Sequence, residues 1–166
     1  MMRDQVSGVA SRAMVSATTD DGPEQYQAVT AMVGESFTEV MAVRQHGLAS
    51  HPPPGSHGVI LSINGRRDLV VMLGGENADY RPTAQKAGGT TLYDTAGGRV
   101  VLDANGQCKI TARDKVVIAV GGCTLTISAD GFAFSGGRVT HDGLNIGSTH
   151  VHGGVKSGSS STSGPG

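Results

Sequence analysis

The chain has 166 residues and a formal net charge of −1 at pH 7, and only 16% of its residues are charged, against roughly 25% in typical soluble domains. Aromatic residues make up 4%, with no Trp, while 26 residues are Gly. With so few large apolar side chains a single chain has a thin core. Either the domains are small or separate subunits bury one another. The balanced charge favours neither nucleic acid nor an acidic membrane as a partner.

Residues 1–80 are predicted to form a small β-barrel. Short runs that alternate apolar and polar residues predict strands over 6–17, 26–32, 37–43, 58–63 and 68–73. The dipeptide Asn64-Gly65 is a strong signal for a hairpin between the last two strands. In the third strand, the alternation places Phe37 and Met41 on one face and Val40 on the other. Short strands at regular spacing, without helical periodicity, are typical of a small barrel.

Residues 91–147 are predicted to form a stalk of very short strands, which follows a polar linker over 81–90. The predicted strands are 90–93, 99–102, 107–110, 115–118, 124–127, 132–134 and 144–146. Gly-rich, Asn-Gly and Asp-Gly turns separate them. No such segment can form a core alone, and chains of this type are stable when stacked into a β-solenoid or wound around sister chains. The repeat is loose, which argues against a single-chain β-helix with coils of fixed length.

The two cysteines do not make a disulfide framework. Strand alternation groups Cys108 and Cys123 with apolar neighbours, so both are expected to be small buried hydrophobic residues. A reactive or metal-bound thiol is the alternative. By the same alternation, Leu125 and Ile127 are expected to face the axis of an assembly beside Cys123. Thr124 is expected to face water.

His150 and His152, separated by Val151, are the candidate metal ligands. Side chains at positions i and i+2 of an extended strand point to the same face, and neutral imidazole is a common metal ligand. One chain offers two imidazoles and no obvious third ligand, which is too few for a closed site. Three chains that meet on a common axis would place six nitrogens around one ion. The alternative is an exposed, unstructured tail that happens to carry two histidines.

Several motifs occur in an order that matches one family. Two of them lie in the barrel section: the proline-rich loop Pro52-Pro53-Pro54-Gly55 and the strand Leu69-Val70-Val71-Met72-Leu73-Gly74-Gly75. The other two are the segment Asp79-Tyr80-Arg81-Pro82 at the end of that section and the segment Thr149-His150-Val151-His152-Gly153-Gly154-Val155 before a Gly/Ser/Thr tail. Together with the glycine-punctuated stalk, they make the chain resemble the phage baseplate assembly protein V family, the central tail spikes of contractile-tailed phages. Within that family it is most similar to the Mu-type spikes. The resemblance spans almost the whole chain.

The resemblance implies an all-β fold in four parts. These are an N-terminal OB-fold barrel (1–80), a linker (81–90), an intertwined triple-stranded β-helix stalk (91–147), and a metal-capped apex with a Gly/Ser tail (148–166). It implies a homotrimer that binds a baseplate hub protein at the centre of the baseplate and pierces the host outer membrane during tail contraction. The protein would then be part of the virion, assembled in the host cytoplasm.

The resemblance also implies one structural iron ion per trimer, held in octahedral geometry by His150 and His152 of each chain. Some members of the family hold calcium and chloride on the axis as well. A six-coordinate ion leaves no open position for a substrate. No enzymatic activity and no nucleic-acid partner are expected.

Three other functions compete with a phage spike. A nucleic-acid-binding OB-fold needs basic grooves and exposed aromatic residues, and the barrel section is poor in both. A glycosidase needs two carboxylates across a cleft, and the carboxylates of the barrel section carry no signal of a pocket. A spike tip of a phage-like contractile or type VI secretion system is the nearest alternative, although such tips are usually longer. The other histidines, His46, His51, His57 and His141, are expected to be solvent-facing loop or turn residues.

Overall fold

The computed structural model describes residues 9–31, 34–151, 153–154, 156 and 158. Over these residues the protein is all-β, with one short 3₁₀ turn at Ile63–Gly65. The strands are β1 (Ala10–Thr19), β2 (Tyr26–Thr30), β3 (Ser36–Ala42), β4 (His57–Ser62), β5 (Val70–Glu76), β6 (Thr90–Tyr93), β7 (Arg99–Leu102), β8 (Cys108–Thr111), β9 (Lys115–Val120), β10 (Cys123–Ser128), β11 (Gly131–Ser135), β12 (Thr140–His141) and β13 (Leu144–Asn145). The described residues fall into two compact units, which divide between Lys109 and Ile110 within β8.

The first five strands form a closed barrel in the order β1-β2-β3-β5-β4. β1 is long enough to pair with β2 along one part and with β4 along the other, and this double pairing closes the barrel. All pairs are antiparallel except β3 with β5, which are parallel. The strand number and the closure are those expected of an OB-fold, and the prediction of a small N-terminal barrel is confirmed.

A small apolar core fills the barrel, and it follows from the alternation of the strands. Its fully or nearly buried members are Ala13, Val15, Val29, Val40, Ile60 and Met72. Their neighbours along each strand point outward, so every strand contributes only one or two side chains to the interior. This core is thin, as the low content of large apolar residues predicts.

The alternation in β3 differs from the prediction at Phe37. Val29 pairs with Phe37, and Gln27 pairs with Val40, so β3 carries one residue more than β2 between these pairs. This β-bulge shifts the side chains by one position. Phe37 therefore packs against the same core as Val40, whereas strict alternation had placed them on opposite faces.

The predicted hairpin at Asn64-Gly65 is confirmed, but its loop is wider than two residues. Both residues have positive φ angles, 53° and 72°, as the tight hairpin turn encoded by this dipeptide requires. Antiparallel pairing resumes only between Ser62 and Val70. The extra loop residues include Arg66 and Asp68, whose side chains pair with each other.

Gly58 lies where β4 pairs with β5, opposite Gly74, and the two backbones come very close there. A Cβ at this position would overlap the carbonyl oxygen of Leu73 and lie 2.5 Å from Cε of Met72, a fully buried core side chain. We expect Gly58→Ala to lower the free energy of unfolding of the barrel by about 1–3 kcal/mol, because the core must shift to admit the methyl group. Gly22→Ala, where the nearest atom would be 4.0 Å away, is the control. Equal thermal unfolding midpoints for the two variants would contradict this packing.

Gln27 is a polar side chain inside the apolar core. It is fully buried, and within the described part of the chain neither its amide nitrogen nor its amide oxygen has a hydrogen-bond partner. Since a buried unpaired polar group costs about 1–3 kcal/mol, we expect Gln27→Met to raise the free energy of unfolding by up to that amount. Gln25→Met is the matched control, because Gln25 hydrogen-bonds Asp20 and the Ser50 carbonyl. A destabilised Gln27→Met variant in chemical denaturation would instead indicate that the amide holds an internal water.

β6, β7 and β8 form a three-stranded sheet with two hairpin turns of the same design. In the first turn, one carboxylate oxygen of Asp94 accepts the backbone N–H groups of Ala96 and Gly98 at 2.8 Å. In the second, Asp103 accepts those of Asn105 and Gln107 at 2.8 and 2.9 Å. These side-chain caps explain why aspartate begins both turns. β6 and β7 pair antiparallel from Thr90–Leu102 to Tyr93–Arg99.

All seven predicted stalk strands are present, each shifted by no more than two residues at either end. His141 was expected in a turn but lies in the two-residue strand β12, opposite Leu144 of β13. The two strands are short enough that sequence alternation gives no signal there. His46, His51, His57 and His141 are all exposed, as expected. No helix within the described residues has the length and apolar character needed to cross a membrane.

Candidate functional site

The sheet order β11-β10-β9 places three regular strands side by side in the second unit. Its cross-strand rows are set by an unbroken register, in which Leu125 lies between Ile118 and Phe134. Because side chains alternate along each strand, one face of the sheet collects every second residue. We call this the apolar stalk face, and it consists of Val116, Ile118, Val120, Cys123, Leu125, Ile127, Phe132 and Phe134.

Within the described part of the chain, most of the apolar stalk face is exposed, and Val116, Leu125 and Ile127 are half-buried. The exposed fractions are 78% for Val120, 73% for Phe132 and 60% for Phe134. Contiguous apolar patches of this kind are rare on monomeric proteins and mark surfaces that another molecule buries. The opposite face carries Thr124 and Thr126, and the Thr124 hydroxyl hydrogen-bonds that of Ser135 at 2.6 Å. The structure therefore brings the predicted axis-facing residues together on one face and the threonines on the other.

The predicted burial of the two cysteines is wrong for the single chain. Cys108 and Cys123 were expected to be buried, but both are exposed. Cys123 does lie on the apolar stalk face, opposite Val120. Its thiol therefore has apolar neighbours along the face, but no residue of the described part of the chain buries it.

His150, the first predicted metal ligand, lies at the end of a short hydrogen-bonded turn after β13. Its backbone N–H donates to the Gly147 carbonyl at 3.1 Å, and its ring Nδ1 lies 2.7 Å from the same oxygen. Since a carbonyl can only accept, Nδ1 is the donor in this contact, and in the neutral imidazole the lone pair is then on Nε2. Asn145 supports the turn by accepting from Gly147 N–H and donating to the Thr149 hydroxyl, both at 3.0 Å.

This arrangement is the one that metal-binding histidines usually show. A backbone carbonyl that takes the N–H of one ring nitrogen fixes the ring and makes the other nitrogen a better ligand. No sequence pattern predicts the role of Gly147, because the contact is made by its backbone carbonyl. His152, the second predicted ligand, lies outside the described residues, so the structure does not test the pairing of the two imidazoles. Within the described ranges no three side chains of His, Cys, Asp or Glu are grouped so that they could hold a metal.

Three arginines in and next to the barrel form ion pairs. Arg66 binds Asp68 through two hydrogen bonds, and this contact holds the pKa of the Asp68 carboxyl below its ordinary value. Arg67 pairs with Glu35 and lies 5.5 Å from the centre of the Phe37 ring. Arg81 donates to Glu76 at 2.9 Å.

Over the described residues the protein belongs to the all-β class: a small closed barrel is followed along the chain by short strands, and the sheet of β9, β10 and β11 has a largely exposed apolar face. Residues 12–79, which comprise most of the barrel, match the family described as bacteriophage Mu Gp45, N-terminal. A curated relative is the Mu-like prophage FluMu protein gp45 of Haemophilus influenzae (strain ATCC 51907 / DSM 11121 / KW20 / Rd). It is 27% identical over 135 residues, which cover 81% of this chain and 72% of that protein.

These findings agree with the family indicated by the motifs: the barrel is similar to the N-terminal region of bacteriophage Mu Gp45, and most of the chain is similar to a Mu-like prophage gp45. These similarities support a structural role in a phage tail, and hence in the virion.

Proposed function

We propose that three copies of this chain form the central spike of a phage tail baseplate, which pierces the host outer membrane when the tail contracts. The observation that carries the proposal is the apolar stalk face, most of whose residues are exposed within the described part of the chain. Two further copies wound around the same axis would bury these side chains and pair strand edges that otherwise remain open. A piercing device needs stiffness, which a rod of interwoven chains provides.

The proposed apex holds one structural metal ion between three chains, with His150 and His152 of each chain as ligands. The contact between His150 Nδ1 and the Gly147 carbonyl supports this role, since metal-binding histidines usually donate their other ring N–H to such an acceptor. Iron is proposed from the family resemblance, because imidazole also suits zinc, nickel and copper. A bound ion would cross-link three chain ends that otherwise fray. Calcium or chloride on the axis remains part of the same proposal.

The barrel is proposed to attach the spike to a baseplate hub protein, and the role of the whole protein is structural rather than enzymatic. The proposed parts keep the boundaries given by the sequence: barrel 1–80, linker 81–90, stalk 91–147 and apex 148–166. The protein would assemble in the host cytoplasm before it joins the tail. A contractile secretion system would use the same barrel and stalk, so it remains the second candidate.

Two measurements test the proposal together. Sedimentation equilibrium of the full chain at micromolar concentration is expected to give the mass of three chains. Antibodies raised against the protein are expected to label the distal end of the tail in electron micrographs of virions and to inhibit infection. A stable monomer would reject the spike assembly, and label on the capsid or along the tail would reject the baseplate position.

A further inference from the structure

The outside of the barrel carries an apolar surface that neither the stalk nor the apex involves. Tyr26 of β2 pairs with Met41 of β3, and Met41 pairs with Val71 of β5. These three side chains form one row across the outer surface, because their neighbours Gln27, Val40 and Met72 point into the core. Val43, Val59 and Leu73 extend the row, and all except the half-buried Val71 are exposed. We call these six residues the outer apolar face.

An open strand edge borders this face. β3 pairs with β2 along its length, but it pairs with β5 only at Met41–Val71 and Ala42–Met72. The remainder of β3 faces a groove of about 540 Å³, which is lined by residues 36–41 on one side and 67–71 on the other. Backbone N–H and C=O groups on such an edge are able to pair with an added strand. The bulge in β3 limits the added strand to a short one.

The charges around the groove are predominantly negative. Arg66 and Arg67 are each already ion-paired with a carboxylate, Asp68 and Glu35. Glu24 and Glu39 have no cationic partner within the described part of the chain, and both are exposed. Both carboxylates lie close enough to the Tyr26 hydroxyl to raise its pKa, Glu24 through a 2.8 Å hydrogen bond and Glu39 through its charge. An occupant of the groove must therefore bring positive charge.

We propose that the β3 edge and the outer apolar face accept a short extended segment of a partner protein, with apolar residues at its centre and Lys or Arg at its ends. The backbone of the segment adds a strand beside residues 36–40. Its apolar side chains continue the outer apolar face, and its cations meet Glu24 and Glu39. Binding of a partner segment at this surface would be a second function beside the proposed spike, because such binding requires neither the metal nor the stalk trimer.

The test uses the full chain and a blocked synthetic peptide with a Val-Thr-Val-Thr-Val centre and two Lys at each end. We expect saturable binding by calorimetry and slower backbone hydrogen exchange over residues 36–41. The same peptide with Glu in place of Lys should not bind, and N-methylation of alternate backbone amides should abolish binding. Glu39→Lys should weaken binding roughly fivefold or more, the effect of losing one partly exposed ion pair and gaining a repulsion. Asp130→Lys, the same charge change in an exposed stalk turn, should leave it unchanged.

Three outcomes would overturn the proposal. Equal binding of the Lys and Glu peptides would mean that the contact is non-specific. Binding without protection of residues 36–41 would place it elsewhere. If residues 36–41 exchange slowly without peptide, and Met41→Asp lowers the mass of the assembly in sedimentation, then the face is an interface between copies of this chain.

Discussion

Leu125→Asp is expected to prevent the chains from assembling. Leu125 occupies the centre of the apolar stalk face, between Ile118 and Phe134. In an assembly that buries this face, three carboxylates would meet in an apolar interior without counter-ions, and each unpaired buried charge costs several kcal/mol. Sedimentation equilibrium should therefore show a monomer or a heterogeneous aggregate at concentrations where the natural chain has the mass of three chains.

Thr126→Asp is the matched control for this variant. Thr126 is the next residue of β10, pairs with Val117 and Ala133, and points to the opposite face of the sheet. A carboxylate there would remain hydrated, so the mass should not change and the stability should fall by less than about 1 kcal/mol. If both variants behave alike, the apolar stalk face is not the surface that the chains bury.

Replacement of both apex histidines, His150→Ala with His152→Ala, is expected to abolish metal binding and leave the assembly intact. The ligands would be gone, but the apolar stalk face, through which the chains are proposed to associate, lies in β9–β11 and is unchanged. Elemental analysis of protein that has never contacted a nickel resin should fall from one ion per three chains to none. Acid should release the ion from the natural protein, because imidazole protonates below an unperturbed pKa of about 6.5 and protonated imidazole cannot bind a metal.

His141→Ala controls for a non-specific effect of losing an imidazole. His141 is exposed in β12, and its Nδ1 lies 3.5 Å from a carboxylate oxygen of Asp142. Its removal should not change the metal content. A metal content far below one ion per three chains in the natural protein would reject the site, as would metal retained in the double variant.

The positions of most strands could be predicted from the sequence, because glycine, Asn-Gly and Asp-Gly turns separate runs that alternate in polarity. The faces of β10 were predictable for the same reason, since its register is unbroken from Cys123 to Ser128. Prediction was wrong at Phe37, where a bulge adds one residue to β3 and reverses the alternation. A bulge of this kind leaves no mark in the polarity pattern.

The candidate sites were predictable only in part. The two histidines stand out by their spacing, but the Gly147 carbonyl that fixes His150 is a backbone contact and has no residue signature. The outer apolar face could not be predicted from the sequence. Its members come from β2, β3, β4 and β5, and they become neighbours only when the barrel closes. Gln27 was likewise unremarkable as a residue type, and its burial depends on its pairing with Val40.

The two aspartate-capped turns bear on how the length of the stalk can change. Asp94 and Asp103 lie nine positions apart, as do Gly97 and Gly106, so one strand with its turn makes a nine-residue module. Each turn is closed by its own aspartate and needs no distant partner. Duplication or deletion of such modules in the gene would change the number of strands in the stalk without requiring a new type of turn. Because β6 and β7 run antiparallel, modules added in pairs return the chain to its original direction.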